Sequence, residues 1–182
     1  MRAFLAVDLD ESLKERVLKV QENLKEADAI VKFVEEENLH FTCKFFGDIS
    51  QKKTDIIIKT IEEKIQKYKS FEIEIKGLGV FPHFGYIRVI WLGLENPEYF
   101  SRILKDFDDE FFNLGFKKER SYTPHLTIGR VKGSKNKEVL ISKIKEFQDI
   151  EIGSMEVSKI SLKKSELTPE GPVYTNVKEF KL

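Results

Sequence analysis

The segment Leu39-His40-Phe41-Thr42-Cys43 alternates between apolar and polar side chains, and the same pattern returns in Pro124-His125-Leu126-Thr127-Ile128. A period of two is typical of a β-strand that buries one face and exposes the other. In each copy the histidine and the threonine, two positions apart, therefore share a face, while apolar residues fill the opposite one. The chain has only three histidines, so two of the three occupy this setting. The repeat predicts two core-anchored strands that present two imidazoles and two hydroxyls to a common cleft.

The flanking sequence predicts strands interleaved with helices. Strand patterns cover residues 2–8, 39–46, 71–80, 86–94, 124–131, 154–164 and 173–180. Helical patterns cover residues 11–25, 51–68, 97–113 and 136–147, with Ser50 and Asn96 as N-caps and Pro97 at the first helical position. Because the strands lack the long apolar runs of a parallel sheet, we expect an α+β fold with mostly antiparallel sheets and helices packed outside them. No linker rich in Pro, Gly or Ser interrupts the chain, so residues 1–182 are expected to form a single domain.

Composition excludes several classes of protein. The chain is 41% hydrophobic and 34% charged, with fifteen phenylalanines, which is typical of a globular protein. It contains no run of 18 apolar residues and no signal-peptide pattern, so we expect a cytoplasmic protein that does not span a membrane. The single cysteine, Cys43, excludes an internal disulfide and a cysteine-based zinc site. Abundant Lys and Glu with scarce Asn, Gln, Cys and Met predict a heat-adapted, thermophile-like protein.

The formal net charge of zero argues against a general polyanion binder. Cations are nevertheless concentrated between positions 117 and 137, where Glu119 is the only opposing acid. They are Lys117, Lys118, Arg120, Arg130, Lys132, Lys135 and Lys137. Such a cluster is often only a solvated surface, but its position around His125 favours a phosphate-binding role.

The paired histidines suit phosphoester cleavage without a metal. Histidine has an unperturbed pKa of about 6.5, so near neutrality one copy can be basic while the other is acidic. One imidazole can deprotonate an attacking water and the other can protonate the leaving oxygen. The hydroxyls of Thr42 and Thr127 can donate hydrogen bonds to the phosphate oxygens on which charge develops. Two readings compete with this one, a structural role for each histidine and a metal site in which His83 is a third ligand. The second is disfavoured because no dense group of acids flanks either strand and His83 lies in a Pro/Gly turn.

The paired elements resemble the signature of the 2H phosphoesterase superfamily, and in particular its RNA 2′,3′-cyclic phosphodiesterase branch, historically called 2′-5′ RNA ligases. Further similarity lies in residues 1–6, 80–82, 88–93, 165–167 and 171–174. The likeness covers essentially the whole chain, although only the His-x-Thr pair is specific. It implies a bilobal, pseudo-symmetric fold with two mostly antiparallel sheets around a central cleft and helices outside.

The same resemblance implies hydrolysis of an RNA-terminal 2′,3′-cyclic phosphate to a 2′-phosphate. His40 would be the proton donor to the departing 3′ oxygen and His125 the proton acceptor from water, with Thr42 and Thr127 on the phosphate. Reversal of the reaction would join cyclic-phosphate and 5′-hydroxyl ends into a 2′-5′ link. The implied partners are RNA 3′ ends, tRNA fragments among them, bound by a monomer that uses no cofactor. Two alternatives remain open: a 2H enzyme acting on another small cyclic phosphodiester, and a non-catalytic RNA-end binding protein.

Three further assignments depend on how strictly the strands alternate. The resemblance implies that Arg130 binds substrate, where it would neutralise phosphate or contact a base. Alternation instead places Arg130 on the face opposite His125 as a surface charge, and only a bulge, for which Gly129 is the candidate, would turn it inward. It places Cys43 and Phe45 on the core face and Lys44 on the histidine face. Phe4, Tyr122 and Tyr174 are candidates for stacking a nucleobase, with ordinary aromatic packing as the alternative.

Overall fold

The strands of the chain form one antiparallel sheet. The structure, a computed structural model, describes residues 1–182. The strands are β1 (Arg2–Asp8), β2 (Val31–Phe33), β3 (His40–Asp48), β4 (Phe71–His83), β5 (Tyr86–Leu94), β6 (Leu126–Val131), β7 (Glu151–Val157), β8 (Lys159–Thr168) and β9 (Gly171–Lys181). The helices are α1 (Glu11–Lys25), α2 (Gln51–Ile65), α3 (Glu98–Asn113) and α4 (Lys137–Glu146), with a 3₁₀ turn at Glu36–Asn38. The strands are ordered β7-β4-β5-β6-β3-β1-β8-β9, and β2 pairs with β6.

The expected α+β fold with antiparallel pairing is confirmed, but the expectation of two separate sheets is wrong. Strands β3 and β6 are joined through a single residue pair, Phe41 opposite Leu126, which makes the sheet continuous. Beyond that pair β3 no longer follows β6, and β2 pairs with the same edge of β6 instead. The narrow junction separates five strands (β7, β4, β5, β6 and β2) from four (β3, β1, β8 and β9) within the one sheet.

The helices cover the face of the sheet that carries Phe41 and Leu126. Helix α1 buries the predicted stripe Leu13, Val17, Val20 and Leu24 and contacts β6, β7 and α4. Helix α3 contacts β3 and α2, and the ring of Phe100 lies 6.0 Å from that of Phe41. The core of 37 buried residues continues past the junction and includes both Phe41 and Leu126. No helix is both long enough and apolar enough to span a bilayer.

Several predicted boundaries hold and several do not. The bounds of β1 and α1 match the prediction, and Ser50 caps α2 by accepting a hydrogen bond from the backbone of Lys53. Asn96 is not the N-cap of α3, because Pro97 takes that position without a side-chain cap. The strand predicted over 154–164 is two strands, β7 and β8, interrupted at Ser158. The three-residue β2 was not predicted, because so short a strand has too few residues to show a period.

A bulge in β3 reverses the predicted faces after Thr42. Against β1, Thr42 pairs with Ala6 and Lys44 pairs with Leu5, so Cys43 is an additional residue with no partner of its own. An additional residue shifts the alternation by one position. Lys44 is consequently buried on the core side, whereas Phe45 is exposed on the histidine side beneath the guanidinium of Arg2. The predicted faces of Lys44 and Phe45 are therefore wrong.

Candidate active site

The single pair between β3 and β6 sets the geometry of the site. Phe41 and Leu126 are the middle residues of the two His-x-Thr elements, both are fully buried, and they lie opposite each other. In an antiparallel pair, neighbours of opposed residues are themselves opposed and point to the other face. The register therefore brings His40 beside Thr127 and Thr42 beside His125, all on the face away from the helices. The two elements meet as the repeat predicted, although His125 lies one residue before β6 begins.

His40 is fixed through both of its ring nitrogens. Its Nδ1–H donates to the backbone carbonyl of Asn38 at 2.6 Å, and its Nε2 lies 2.9 Å from Oγ1 of Thr42. The ring packs against Phe4 and Tyr174, with centroids 5.1 and 5.5 Å away. Because the carbonyl can only accept, the neutral imidazole carries its proton on Nδ1 and leaves Nε2 free to exchange one.

His125 repeats this arrangement. Its Nδ1–H donates to the backbone carbonyl of Thr123 at 3.1 Å, again two residues earlier in the chain. The ring of Phe81 meets it edge to face, with centroids 5.0 Å apart. The two imidazoles therefore share one tautomer and differ in their aromatic neighbours.

Burial lowers the pKa of both histidines below the ordinary 6.5, because an imidazolium loses solvation in the cleft. The positive charge of Arg130 lowers both pKa values further, and Lys163 also lowers that of His40. The carboxylate of Asp8, opposite His40 in the β1–β3 ladder, raises the pKa of His40 in part. No carboxylate acts on His125 in this way, so the two copies are electrostatically unequal.

A cavity of about 140 Å³ lies between the halves of the sheet. Its walls include His40, Thr42, Thr127 and Arg130, four of the five residues predicted for the site. His125 is not part of its wall. The other residues around the cavity come from β2, the β2–β3 connection and β9: Lys32, Phe33, Val34, Glu35, Asn38, Pro172 and Tyr174.

Arg130 enters the cavity because of a second bulge. Against β5, Gly129 pairs with Ile90 and Thr127 pairs with Trp91, so Ile128 is the additional residue. The bulge puts Arg130 on the same face as Thr127, which resolves the alternatives left by strict alternation. It is centred on Ile128 and not on Gly129. Gly129 serves packing, since a Cβ there would approach Cγ1 of Val31 to 2.9 Å.

The bulge is held by Gln21 of α1. The Nε2 amide of this buried residue donates to the carbonyls of Ile128, at 2.9 Å, and Val34, at 3.0 Å. The backbone N–H of Val34 donates to the same Ile128 carbonyl at 3.0 Å. One side chain thereby connects the bulge that aims Arg130 with the opposite wall of the cavity. Sequence inspection missed Gln21, because a lone glutamine on an apolar helix face has no motif around it.

A buried ionic network holds the segment that leads to His125. Nζ of Lys44 lies 2.6 Å from Oδ1 of Asp108 and donates to the Lys117 carbonyl at 2.6 Å. Oδ2 of Asp108 accepts from the Glu119 backbone at 2.8 Å and from the Tyr122 hydroxyl at 2.7 Å. Burial alone would raise the pKa of Asp108, but these hydrogen bonds hold it below its usual value. Tyr122 is thus a member of this network and not a free stacking surface.

The two remaining candidates for stacking a nucleobase differ in exposure. Phe4 is buried against His40, whereas Tyr174 lines the cavity and is half-buried.

Cys43 packs against the core, where burial raises the pKa of its thiol, in agreement with its reading as a core residue. No three His, Cys, Asp or Glu side chains lie close enough together to hold a metal ion. Lys163, buried and 3.0 Å from Asp8, was not found from the sequence because β8 lacks a motif.

Comparison with known proteins places the chain in a family. The model of the 2′-5′ RNA ligase superfamily matches residues 9–168. The chain is 56% identical over 182 residues to the RNA 2′,3′-cyclic phosphodiesterase of Methanothermobacter thermautotrophicus, covering 100% of this chain and 99% of that relative. It is 46% identical over 180 residues to the protein of the same name from Methanocaldococcus jannaschii, covering 99% and 100%.

Solved structures agree with that placement. A protein from Thermus thermophilus superposes with a TM-score of 0.85 at 25% identity, over 100% of this chain and 98% of that one. E. coli LigT, solved with 3′-AMP, superposes with a TM-score of 0.80 at 21% identity, over 100% and 97%, which shows the shared fold. With its paired His-x-Thr elements at the strand junction, the chain belongs to the 2′-5′ RNA ligase superfamily.

Proposed function

We propose that this protein is an RNA 2′,3′-cyclic phosphodiesterase that opens a terminal 2′,3′-cyclic phosphate to a 2′-phosphate by acid–base catalysis with two histidines and no metal or other cofactor. The observation that carries the proposal is the register of Phe41 opposite Leu126, which supports one shared site for both His-x-Thr elements. Full-length relatives that bear this enzyme's name supply the substrate class.

In the proposed reaction, Nε2 of His125 takes a proton from water as the water oxygen bonds to phosphorus. The bond from phosphorus to O3′ breaks, and Nε2–H of His40 gives its proton to the departing O3′. Each proton transfer contributes about 10²–10⁴-fold to the rate. We assign His40 as the protonated partner because the carboxylate of Asp8 raises its pKa in part, against the lowering by burial, Lys163 and Arg130, whereas no carboxylate acts on His125.

Thr42, Thr127 and Arg130 act on the charge of the phosphate. The threonine hydroxyls donate to its non-bridging oxygens, and the guanidinium of Arg130 offsets the negative charge that grows in the transition state. In a parallel ring opening, a 5′-hydroxyl replaces water as the nucleophile: its oxygen bonds to phosphorus, the bond from phosphorus to O3′ breaks, and a 2′-5′ link forms from the energy of the strained cyclic ester. No nucleotide cofactor takes part in either reaction.

The test is an assay of the purified protein in excess EDTA on a short RNA that ends in a 2′,3′-cyclic phosphate. We expect a 2′-phosphate product, lost in His40→Ala and in His125→Ala. The matched control is His83→Ala, which removes the exposed third histidine and should retain full activity. Turnover that survives both cleft substitutions would assign the repeat a structural role.

Other outcomes identify the alternatives. RNA binding without turnover by the intact protein would point to an RNA-end binder. Turnover of a different cyclic phosphodiester, with RNA ends left intact, would point to a small-molecule 2H enzyme. A requirement for added metal would contradict the proposed chemistry.

A further inference from the structure

A basic groove leads away from the cleft along β5 and β6. It consists of two adjoining depressions of about 470 and 440 Å³, each larger than the catalytic cavity of about 140 Å³. Arg130 is shared by the cavity and the nearer depression, and Arg88 and Lys132 are shared by the two depressions. The farther depression ends at Lys137, at the start of α4. The surface is therefore continuous from the phosphate site to α4.

The cations of this groove are unpaired. Arg88, Lys132 and Lys137 have no carboxylate within 4.0 Å, and no acidic residue lines either depression. Lys137 donates instead to the backbone carbonyl of Gly85 at 2.6 Å, which positions its ammonium. Other cations of the 117–137 stretch are neutralised, since Lys118 pairs with Asp109 and Lys135 pairs with Asp28. In a chain of zero net charge, this groove concentrates free positive charge next to the cleft.

Exposed aromatic rings accompany the charges. Phe81 is 38% exposed in the nearer depression and Tyr86 is 61% exposed in the farther one. Phe81 is also the ring that contacts His125. A positive groove with intervening aromatic faces is the physical pattern that holds a single nucleic-acid strand, because cations follow the phosphates while bases stack on the rings.

The opposite exit from the cavity carries free acid. Glu35 on that wall is paired with Lys32 at 3.0 Å, but it is followed by exposed Glu36 and Glu37, which have no such partner. A strand of phosphates leaving in that direction would meet like charge, whereas the β5–β6 side attracts it. The charge distribution therefore selects one exit for the strand.

We propose that the groove formed by Phe81, Tyr86, Arg88, Lys132 and Lys137 binds the single-stranded RNA on the 5′ side of the reacting nucleotide. The inference rests on the proposed function, because only a substrate with its cyclic phosphate at the 3′ end places the rest of its chain there. Its consequence is selectivity for length: an oligonucleotide reaches groove residues that a nucleoside 2′,3′-cyclic monophosphate cannot touch.

The test compares these two substrates in one set of variants. In Arg88→Ala/Lys132→Ala/Lys137→Ala we expect kcat/KM for an RNA oligomer to fall by on the order of tenfold at low salt, mainly through KM. The slope of log kcat/KM against log salt should shrink by about 0.7 for each phosphate that the variant no longer neutralises. Activity on the cyclic mononucleotide should stay within about twofold of the unaltered protein, since none of these three residues lines the catalytic cavity. Tyr86→Ala should lower kcat/KM for the oligomer and leave that for the mononucleotide unchanged. The slope against log salt should change little, because stacking carries no charge.

The charge-matched control is Lys52→Ala/Lys59→Ala/Lys67→Ala, which removes three exposed lysines on and just after α2. We expect it to leave both substrates unaffected. The proposed role of the groove would be overturned if kcat/KM for the oligomer were unchanged in the groove variants. It would also be overturned if kcat/KM fell equally for both substrates. Should Lys137→Ala disturb the Gly85 turn, Arg88→Ala/Lys132→Ala alone must still show the selective loss. Failure of the intact protein on both substrates would refute the proposed function. Turnover of both substrates with no dependence of the oligomer on the groove residues would refute this inference alone.

Discussion

The imidazoles of His40 and His125 both use Nδ1 to donate to a carbonyl two residues earlier in the chain, at Asn38 and Thr123. This bond fixes the tautomer before substrate arrives, so Nε2 is the nitrogen available for proton transfer in each copy. The two residues differ in charge environment, since Asp8 and Lys163 act on His40 alone. Local charge can therefore give identical side chains distinct proton affinities.

The pH dependence follows from the burial of both rings. In the proposed mechanism, turnover needs one histidine protonated and the other neutral, so kcat/KM should peak midway between the two pKa values of the free enzyme. Because burial lowers both pKa values below 6.5, we expect the optimum for a cyclic mononucleotide to lie below pH 6.5, with activity declining through neutral pH. The profile of kcat/KM against pH measures this directly. An optimum on the alkaline side of neutrality would contradict it, and His83→Ala should reproduce the unaltered profile.

Asp8→Asn tests which histidine is the acid. Removing the carboxylate lowers the pKa of His40. If His40 is the acid, its protonated fraction shrinks, so kcat/KM falls on the alkaline limb while the acidic limb is unchanged. If His40 is instead the base, kcat/KM rises on the acidic limb and the alkaline limb is unchanged. We expect the first result, measured from the positions of the two limbs of the pH profile.

At the level of secondary-structure elements, the two bulges explain where sequence reasoning succeeded and where it stopped. The His-x-Thr strands and the outline of the fold could be predicted because alternation and helical spacing are local properties. The burial of Lys44 and the inward turn of Arg130 could not, since each depends on one additional residue whose partner strand is distant in sequence. The continuous sheet was missed for the same reason, because the pair of Phe41 and Leu126 joins separate parts of the chain.

Gln21 is expected to position Arg130 through the bulge at Ile128. Gln21→Leu removes two hydrogen bonds to buried carbonyls, which should lower the free energy of unfolding by about 1–3 kcal/mol. It should also raise KM for RNA, as Arg130 loses its fixed direction. Denaturant unfolding and steady-state kinetics measure the two effects.

The control for that effect is Val20→Ala, a neighbouring core truncation that should reduce stability and leave KM unchanged. In an Arg130→Ala background, Gln21→Leu should have no further effect on KM. An undiminished effect in that background would show that Gln21 acts through something other than Arg130.

At the scale of the whole molecule, charge is organised into networks. Lys44 lies between Asp108 and Glu119, and Lys76 lies between Glu95 and Glu151. Such networks stabilise more at high temperature, because the penalty for desolvating ions falls as temperature rises. We expect an unfolding midpoint above about 65 °C, the upper end of the usual range for mesophile domains. Calorimetry measures it, and a midpoint inside that range would remove the case for heat adaptation.

The pairing of Phe41 with Leu126 has one more consequence, which concerns errors of alignment. A slip of β3 against β6 by one residue would turn every side chain at the junction to the wrong face, drawing imidazoles into the core and phenylalanine into water. A slip by two residues would return the side chains to their correct faces, but it would separate each histidine from the threonine beside it. Since both errors disrupt buried apolar packing, the forces that select the correct alignment of the two strands also bring the two His-x-Thr elements together in every folded molecule.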